Sequence, residues 1–434
     1  MRLISTLKLL VPVATLVVAS TVQAADDPTI EYRVVKGDTL YGLAKEYLVN
    51  DAAALRVQRL NAVREPRRLP VDRVLQIPRD LLRYEPVAVR VRSFSGPVTV
   101  SRDGRPVTPE TGMSLAEGVE IATGRRGFVS LVAHDGSRVS LPSNSKVRLR
   151  WARRYLIDGS VDFGIEVLEG RSELTAPKLK PNERYRVGTP VAATAVRGTV
   201  FRVSFDPKTG QATTEVVEGT VDVSRGDADV STGAGFGIAA NEQGLGDLEA
   251  LLPSPELVDG GKIQTDKFVN FSIAGLEEAA AYRTQLARDA GFVEVVSEDV
   301  GTETEISFED IEDGRFYVRS RGIAESGIEG LSQAYSFRRK RVGVAATVEP
   351  GPYADAFKFA WLPEGEGQTY YAFQLWRAGQ QDRPLFDEVG LDQKDILISK
   401  LGPGQYEWRV GAFQIDEGDV IKVWGAAETL NISE

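Results

Sequence analysis

From Pro86 to about residue 230, apolar side chains recur at every second position in short runs punctuated by glycine. Val87-Ala88-Val89-Arg90-Val91, Gly96-Pro97-Val98-Thr99-Val100, Gly118-Val119-Glu120-Ile121, Gly127-Phe128-Val129-Ser130-Leu131-Val132 and Ser137-Arg138-Val139-Ser140-Leu141 come first. Lys146-Val147-Arg148-Leu149-Arg150 and Gly164-Ile165-Glu166-Val167-Leu168 continue the pattern. A period of two puts alternate side chains on opposite faces of a strand. The stretch is therefore expected to fold as an all-β body, either a sandwich or a solenoid-like stack. With 42 Gly and 21 Pro, the chain carries the turns such a body needs.

The body closes with Thr189-Pro190-Val191-Ala192-Ala193-Thr194-Ala195-Val196-Arg197-Gly198-Thr199-Val200-Phe201-Arg202-Val203, then Glu218-Gly219-Thr220-Val221-Asp222-Val223. With Asp135-Gly136-Ser137 upstream, these residues resemble the FecR domain, from about Arg90 to Val230. In iron-citrate regulators that domain is periplasmic and relays a signal from an outer-membrane receptor to a sigma factor. A cytoplasmic anti-sigma segment and a membrane helix precede it there. This chain has other segments in that place, so the resemblance implies the fold and a protein-binding surface, and it does not carry over sigma-factor control. Thr189, Pro190, Arg197, Gly198 and Thr199 are expected to form a structural turn. Arg197 has two readings: its five donors brace loop carbonyls, or its guanidinium clamps a partner's carboxylate or phosphate. His134, before Asp135-Gly136, reads as a solvated turn residue.

Residues 31 to 80 carry a different period. Tyr32-Arg33-Val34-Val35 alternates as a strand, and Asp38 or Thr39 is placed to cap a helix over 40–48. A second helix follows from about Ala52 to Asn61, with Leu55 and Leu60 among its apolar residues, and Val74-Leu75-Gln76-Ile77-Pro78 closes the unit as a strand. This order and the string Tyr32-Arg33-Val34-Val35-Lys36-Gly37-Asp38-Thr39-Leu40-Tyr41-Gly42-Leu43-Ala44 resemble a LysM module. The second half departs from the family, with Val71-Asp72-Arg73 where Pro-Gly-Gln is common. The resemblance implies binding of N-acetylglucosamine-containing glycans such as peptidoglycan or chitin, with Gly37, Asp38, Thr39, Leu40, Tyr41, Leu69 and Val71 as the contact residues. Gly37-Asp38-Thr39 also reads as nothing more than a helix N-cap.

Ahead of that module, Arg2 and Lys8, an apolar run of about ten residues from Leu9 to Ala19, and Val22-Gln23-Ala24 have the features of a cleavable signal peptide over 1–24. The run is short of the roughly 20 residues of a membrane span, so a periplasmic protein without a membrane anchor is expected. Cysteine is absent, which removes disulfides, thiolate metal sites and a lipid-attachment cysteine. The formal charge of -10 argues against nucleic acid as a partner. A single histidine argues against most hydrolase and metal designs, and no catalytic set, metal or cofactor is expected.

Residues 231–262, rich in Gly, Ala, Pro and acids, read as a linker with one last strand around Phe236. Beyond it the chain repeats at a spacing of about 90 residues. Tyr282-Arg283-Thr284-Gln285-Leu286-Ala287-Arg288 matches Tyr371-Ala372-Phe373-Gln374-Leu375-Trp376-Arg377, and Gly314-Arg315-Phe316-Tyr317-Val318-Arg319 matches Gly404-Gln405-Tyr406-Glu407-Trp408-Arg409. Two β-sandwich domains, 263–340 and 345–434, are expected, and both resemble fibronectin type III domains. Phe359, Trp361, Trp376, Trp408 and Trp424 are assigned to their cores, and the acidic runs at Glu309–Asp313 and Glu364–Glu366 to solvated turns. The fold class is mainly β and multidomain: a βααβ module at 30–80, an all-β body at 86–230 and two sandwiches. The expected function is an exported, non-catalytic envelope scaffold that binds peptidoglycan through the first module and an envelope protein through the body. The alternatives are a cell-wall hydrolase with an unrecognised site and an envelope signalling component.

Overall fold

The computed structural model describes residues 29–133, 135–196, 198–258, 263–353 and 355–433. The leader expected over 1–24, His134 and Arg197 lie outside the described residues. Strands dominate, with two α-helices near the N-terminal end, and no described helix is long and apolar enough to cross a membrane.

In the first module, strands Thr29–Arg33 and Val74–Pro78 pair antiparallel, Ile30 opposite Ile77. Helix α1 (Leu40–Tyr47) starts where the Thr39 hydroxyl accepts the Gly42 N–H at 2.9 Å, and α2 (Asp51–Leu60) starts where Asn50 accepts the Ala53 N–H at 3.0 Å. Each cap satisfies a donor that the first helical turn leaves without a partner. Ala53, Ala54 and Val57 form the packed side of α2, while Leu55 and Leu60 stay about half exposed, at 51% and 54%. Tyr155 and Ile157 from the next domain complete this core. Asn182 fastens the same contact, exchanging hydrogen bonds of 3.0 Å with the Glu31 backbone while its carbonyl accepts from Arg79 at 2.8 Å.

The β body is organised on one long strand, Val161–Thr175. Its first half pairs with Lys146–Tyr155 and, in parallel, with Arg184–Gly188; its second half pairs with Arg138–Leu141 and Val200–Asp206. The strand changes partners at Gly170, whose φ is +72° and where a Cβ would lie 2.2 Å from the Asn144 carbonyl oxygen, so only glycine fits. The succession of paired strands closes on itself around a core that includes Ile121, Val147, Val167, Val187, Phe201 and Val216.

That body extends further than the sequence pattern implied. Within the stretch expected as a linker over 231–262, the one strand expected around Phe236 is present as Phe236–Asn241; Gly244–Ala250 adds a further strand that was not expected, and Ala228–Gly233 pairs with Thr220–Arg225. The glycines of Gly244–Ala250 hide that strand from a pattern search. Gly235 makes a turn at φ +83°, and Gly237 sits in a strand where a Cβ would press to 2.8 Å on Ile328 of the following domain.

Two sandwiches follow. The first sets Leu257–Val258, Val269–Ile273 and Glu305–Phe308 against a five-stranded sheet containing Ala281–Ala287 and Gly314–Ile323. The second sets Gly343–Pro350, Ala356–Glu364 and Asp395–Ser399 against a sheet containing Tyr370–Arg377 and Gly404–Asp416. The repeated segments hold equivalent places: Tyr282 stands opposite Gly322, and Tyr371 opposite Ala412. Phe359, Trp361, Trp376 and Trp408 are buried, as expected. Trp424 is only partly buried, beneath the Arg409 guanidinium at 4.3 Å.

Candidate functional site

Two loops of the first module lie side by side. The Val34 N–H donates to the Arg73 carbonyl and the Asp72 N–H to the Val34 carbonyl, both at 2.9 Å, while the Leu40 N–H donates to the Pro66 carbonyl at 2.8 Å. The first loop is held in shape by Asp38, whose carboxylate accepts the Val35 N–H at 2.8 Å and the Tyr32 hydroxyl at 2.9 Å. Burial, and then that bond to Asp38, pushes the Tyr32 phenol up to about 12, so it remains a donor at any physiological pH. Gly37, at φ +103°, has no atom within 4 Å of where a Cβ would stand. The backbone there is open to a close approach.

Of the seven contact residues expected from the sequence, Gly37, Asp38 and Thr39 build the first turn, and Tyr41 and Val71 present exposed side chains. Leu40 and Leu69 differ from a side-chain contact role: both side chains are buried in the module's core, where they anchor the two loops and leave only their backbone to face a ligand. An apolar residue leading a helix points to the core as readily as to a groove. Val35, not anticipated, is exposed on the first loop beside the second. Lys36, Arg64, Arg67 and Arg68 are exposed too, and none has an ion-pair partner among the described residues. Residues 29–83 carry eleven Lys or Arg against seven Asp or Glu, whereas residues 251–434 carry 18 against 32. A chain with a net charge of -10 thus has a basic N-terminal module.

The second expected feature, the turn in the body, is structural where it is described. The Thr189 hydroxyl accepts the Ala192 N–H at 3.0 Å, an ST turn that leaves Pro190 exposed. Gly198 has φ +90°, and a Cβ there would lie 2.6 Å from Lys178 Cα. Thr199 is buried, and its carbonyl accepts the Ala176 N–H at 2.9 Å.

Sequence reasoning missed a third feature, an ionic lattice between the body and the first sandwich. On the body, Glu173, Arg202 and Glu215 stand opposite one another on three adjacent strands. From the sandwich come Arg283, Arg319, Arg321 and Glu329. Arg171 reaches Glu215 at 3.0 Å and Glu329 at 3.2 Å; Arg283 reaches Glu329 at 2.6 Å and Glu298 at 2.8 Å. Glu173 is shared by Arg319 at 2.9 Å and Arg321 at 2.7 Å, and Arg202 donates to the backbone carbonyls of Glu329 and Gly330 at 2.6 and 2.9 Å. Burial pushes the Glu173 and Glu329 carboxyls up, but the surrounding guanidinium groups outweigh it and hold both well below the usual carboxylate range. Arg202 stands out of phase with Phe201, Val203 and Phe205 and so reads as a solvent-facing position, yet it is buried.

Comparison with known proteins agrees with the order of modules. The LysM domain profile matches residues 32–78 and the FecR protein profile matches residues 119–222, so the chain carries a LysM domain followed by a FecR domain. No curated protein matches the chain. Among solved structures, a putative anti-sigma factor from Parabacteroides distasonis is 19% identical over 30% of this chain, with a TM-score of 0.26. The chain spans 59% of that protein's length. Chicken CNTN1 FN1-FN3 domains are 11% identical, covering 62% of this chain and 95% of that one at a TM-score of 0.21. A two-domain fibronectin type III segment from chicken tenascin is 10% identical, covering 42% and 98% at 0.20.

Proposed function

We propose that the protein is a non-catalytic adaptor of the periplasm that holds peptidoglycan through its LysM domain and an envelope protein through its FecR domain. The observation that carries the first half is the pair of adjoining loops: an open Gly37 backbone, exposed Val35, Tyr41 and Val71, and four exposed cations without an ion-pair partner among the described residues. Backbone amides pair with acetamido groups, branched and aromatic side chains cover the apolar faces of sugar rings, and the cations attract a polymer bearing carboxylates. The second half rests on the FecR match, and crosslinking in cells identifies that partner.

The test is sedimentation of the purified protein with insoluble peptidoglycan, beside Gly37→Val and the double variant Arg67→Glu/Arg68→Glu. The parent is expected in the pellet, with both variants shifted to the supernatant and the parent released as salt screens its charges. Equal supernatant with and without polymer for the parent sinks the glycan reading. A clearing zone on a peptidoglycan gel would overturn the non-catalytic part.

A further inference from the structure

The ionic lattice is not balanced from one end to the other. At one end of the junction a cavity of about 530 Å³ has Arg171 and Arg283 facing Asp206, Glu298, Glu325 and Glu329, an excess of acid. At the other end a second cavity, about 210 Å³, is lined by four guanidinium groups, Arg138, Arg202, Arg319 and Arg321, and by one carboxylate, Glu173. Glu173 is already divided between Arg319 and Arg321. The carboxylate that pairs with Arg202, Glu215 at 3.4 Å, does not line this cavity. Arg138 stands exposed at its edge with no ion-pair partner among the described residues.

Arg202 and Arg321 have carboxylate partners behind the wall, Glu215 at 3.4 Å and Glu329 at 3.3 Å, yet on the cavity side four guanidinium groups meet one carboxylate, an arrangement that favours an anion in the void. The crowding is felt by Arg319, whose guanidinium is pushed down to about 10 by burial and then by its neighbour Arg321. The same guanidinium donates to Gln285 Oε1 at 2.6 Å and to Glu173 at 2.9 Å, and the face of Phe292 lies 4.1 Å from it. The rest of the wall combines aliphatic Leu174, Val217 and Val293 with the hydroxyl side chains of Ser140, Thr175 and Ser332. A guanidinium fork on one side and aliphatic side chains on the other match a carboxylate carried on a short apolar stem.

We propose that this cleft between the FecR domain and the first sandwich is a binding site for a small organic carboxylate, held by Arg138, Arg202, Arg319 and Arg321. The anion completes the charge of the lattice, and its stem fills the aliphatic wall. Binding therefore tightens the junction between the two domains.

The test uses the whole mature chain and butyrate as probe, with saturation-transfer NMR to read binding. Its neutral isostere butyramide and inorganic phosphate are the comparison ligands. Arg138→Gln is the informative variant, since Arg138 holds no buried partner and its loss leaves the lattice intact. Saturable butyrate binding is expected, about tenfold weaker in Arg138→Gln, with butyramide silent and phosphate a poorer competitor. The proposal is overturned if butyrate gives no saturable signal, if butyramide binds equally well, or if Arg138→Gln leaves the affinity unchanged. Displacement of butyrate by equal phosphate would refute the organic-acid class and leave a simple anion site. Arg67→Glu/Arg68→Glu, directed at the glycan groove, should leave butyrate binding unaltered, so failure of one site is told apart from failure of the other.

Discussion

The groove of the LysM domain and the junction behind the FecR domain both depend on arginine, and they use it in opposite ways. Beside the paired loops, Arg64, Arg67 and Arg68 are exposed with no ion-pair partner among the described residues, so they cost the fold little and remain available to a ligand. In the junction, Arg202 and Arg321 are 3% and 2% exposed, Glu215 and Glu329 not at all, and each is committed to several partners. Removing a charge from the first region should change binding and spare the fold. Removing one from the second should strand the others in a buried interface.

The sharpest way to break this contrast is Glu329→Ala. It leaves Arg171, Arg283 and Arg321 short of a shared carboxylate and is expected to cost about 3–5 kcal/mol, read by denaturant-dependent hydrogen exchange in the two facing sheets. Parent-like protection would mean that the lattice is ornamental. Acid provides a second probe. The folded carboxyls of Glu173 and Glu329 lie below their unfolded value of about 4.3. Their stabilisation is thus fully present above that pH and is lost as pH falls through the folded values. The melting temperature should stay level on this account between about pH 8 and 6 and decline below about pH 4. A junction whose melting is unchanged at low pH contradicts the assignment.

A smaller effect is expected from Gly237→Val, which drives a side chain against Ile328 across the same interface. A loss of about 1–3 kcal/mol, with faster exchange confined to the junction, separates packing from charge. The mildest change lies at the groove. Thr39→Ala removes the cap on the Gly42 N–H and should destabilise the first module by about 1 kcal/mol, measured as a local rise in exchange along α1. A global loss of stability instead would show that the module is not energetically local.

The contrast also explains what could be read in advance. The turn at Gly37, the cap at Thr39 and the strand pair Thr29–Arg33 with Val74–Pro78 join residues within about fifty positions of one another, and turn chemistry announces them. The burial of Leu40 and Leu69 is not legible because an apolar side chain beside a turn has the same signature whether it lines a groove or a core. The strand around Phe236 is legible, whereas Gly244–Ala250 is not, because its two glycines and scattered apolar residues look like linker.

The sequence by itself determined the β character of the body, the helix caps and strand order of the first module, and the repeat that makes two sandwiches, because period, capping and turn chemistry act between near neighbours. Only the tertiary structure decided that Arg171 meets Glu329, that Glu173 is shared by Arg319 and Arg321, and that two domains meet through charge. Those partners lie about 150 residues apart, with Glu173 and Arg319 separated by 146 positions. Nothing local to an arginine in a strand tells whether water or a glutamate from another domain will face it.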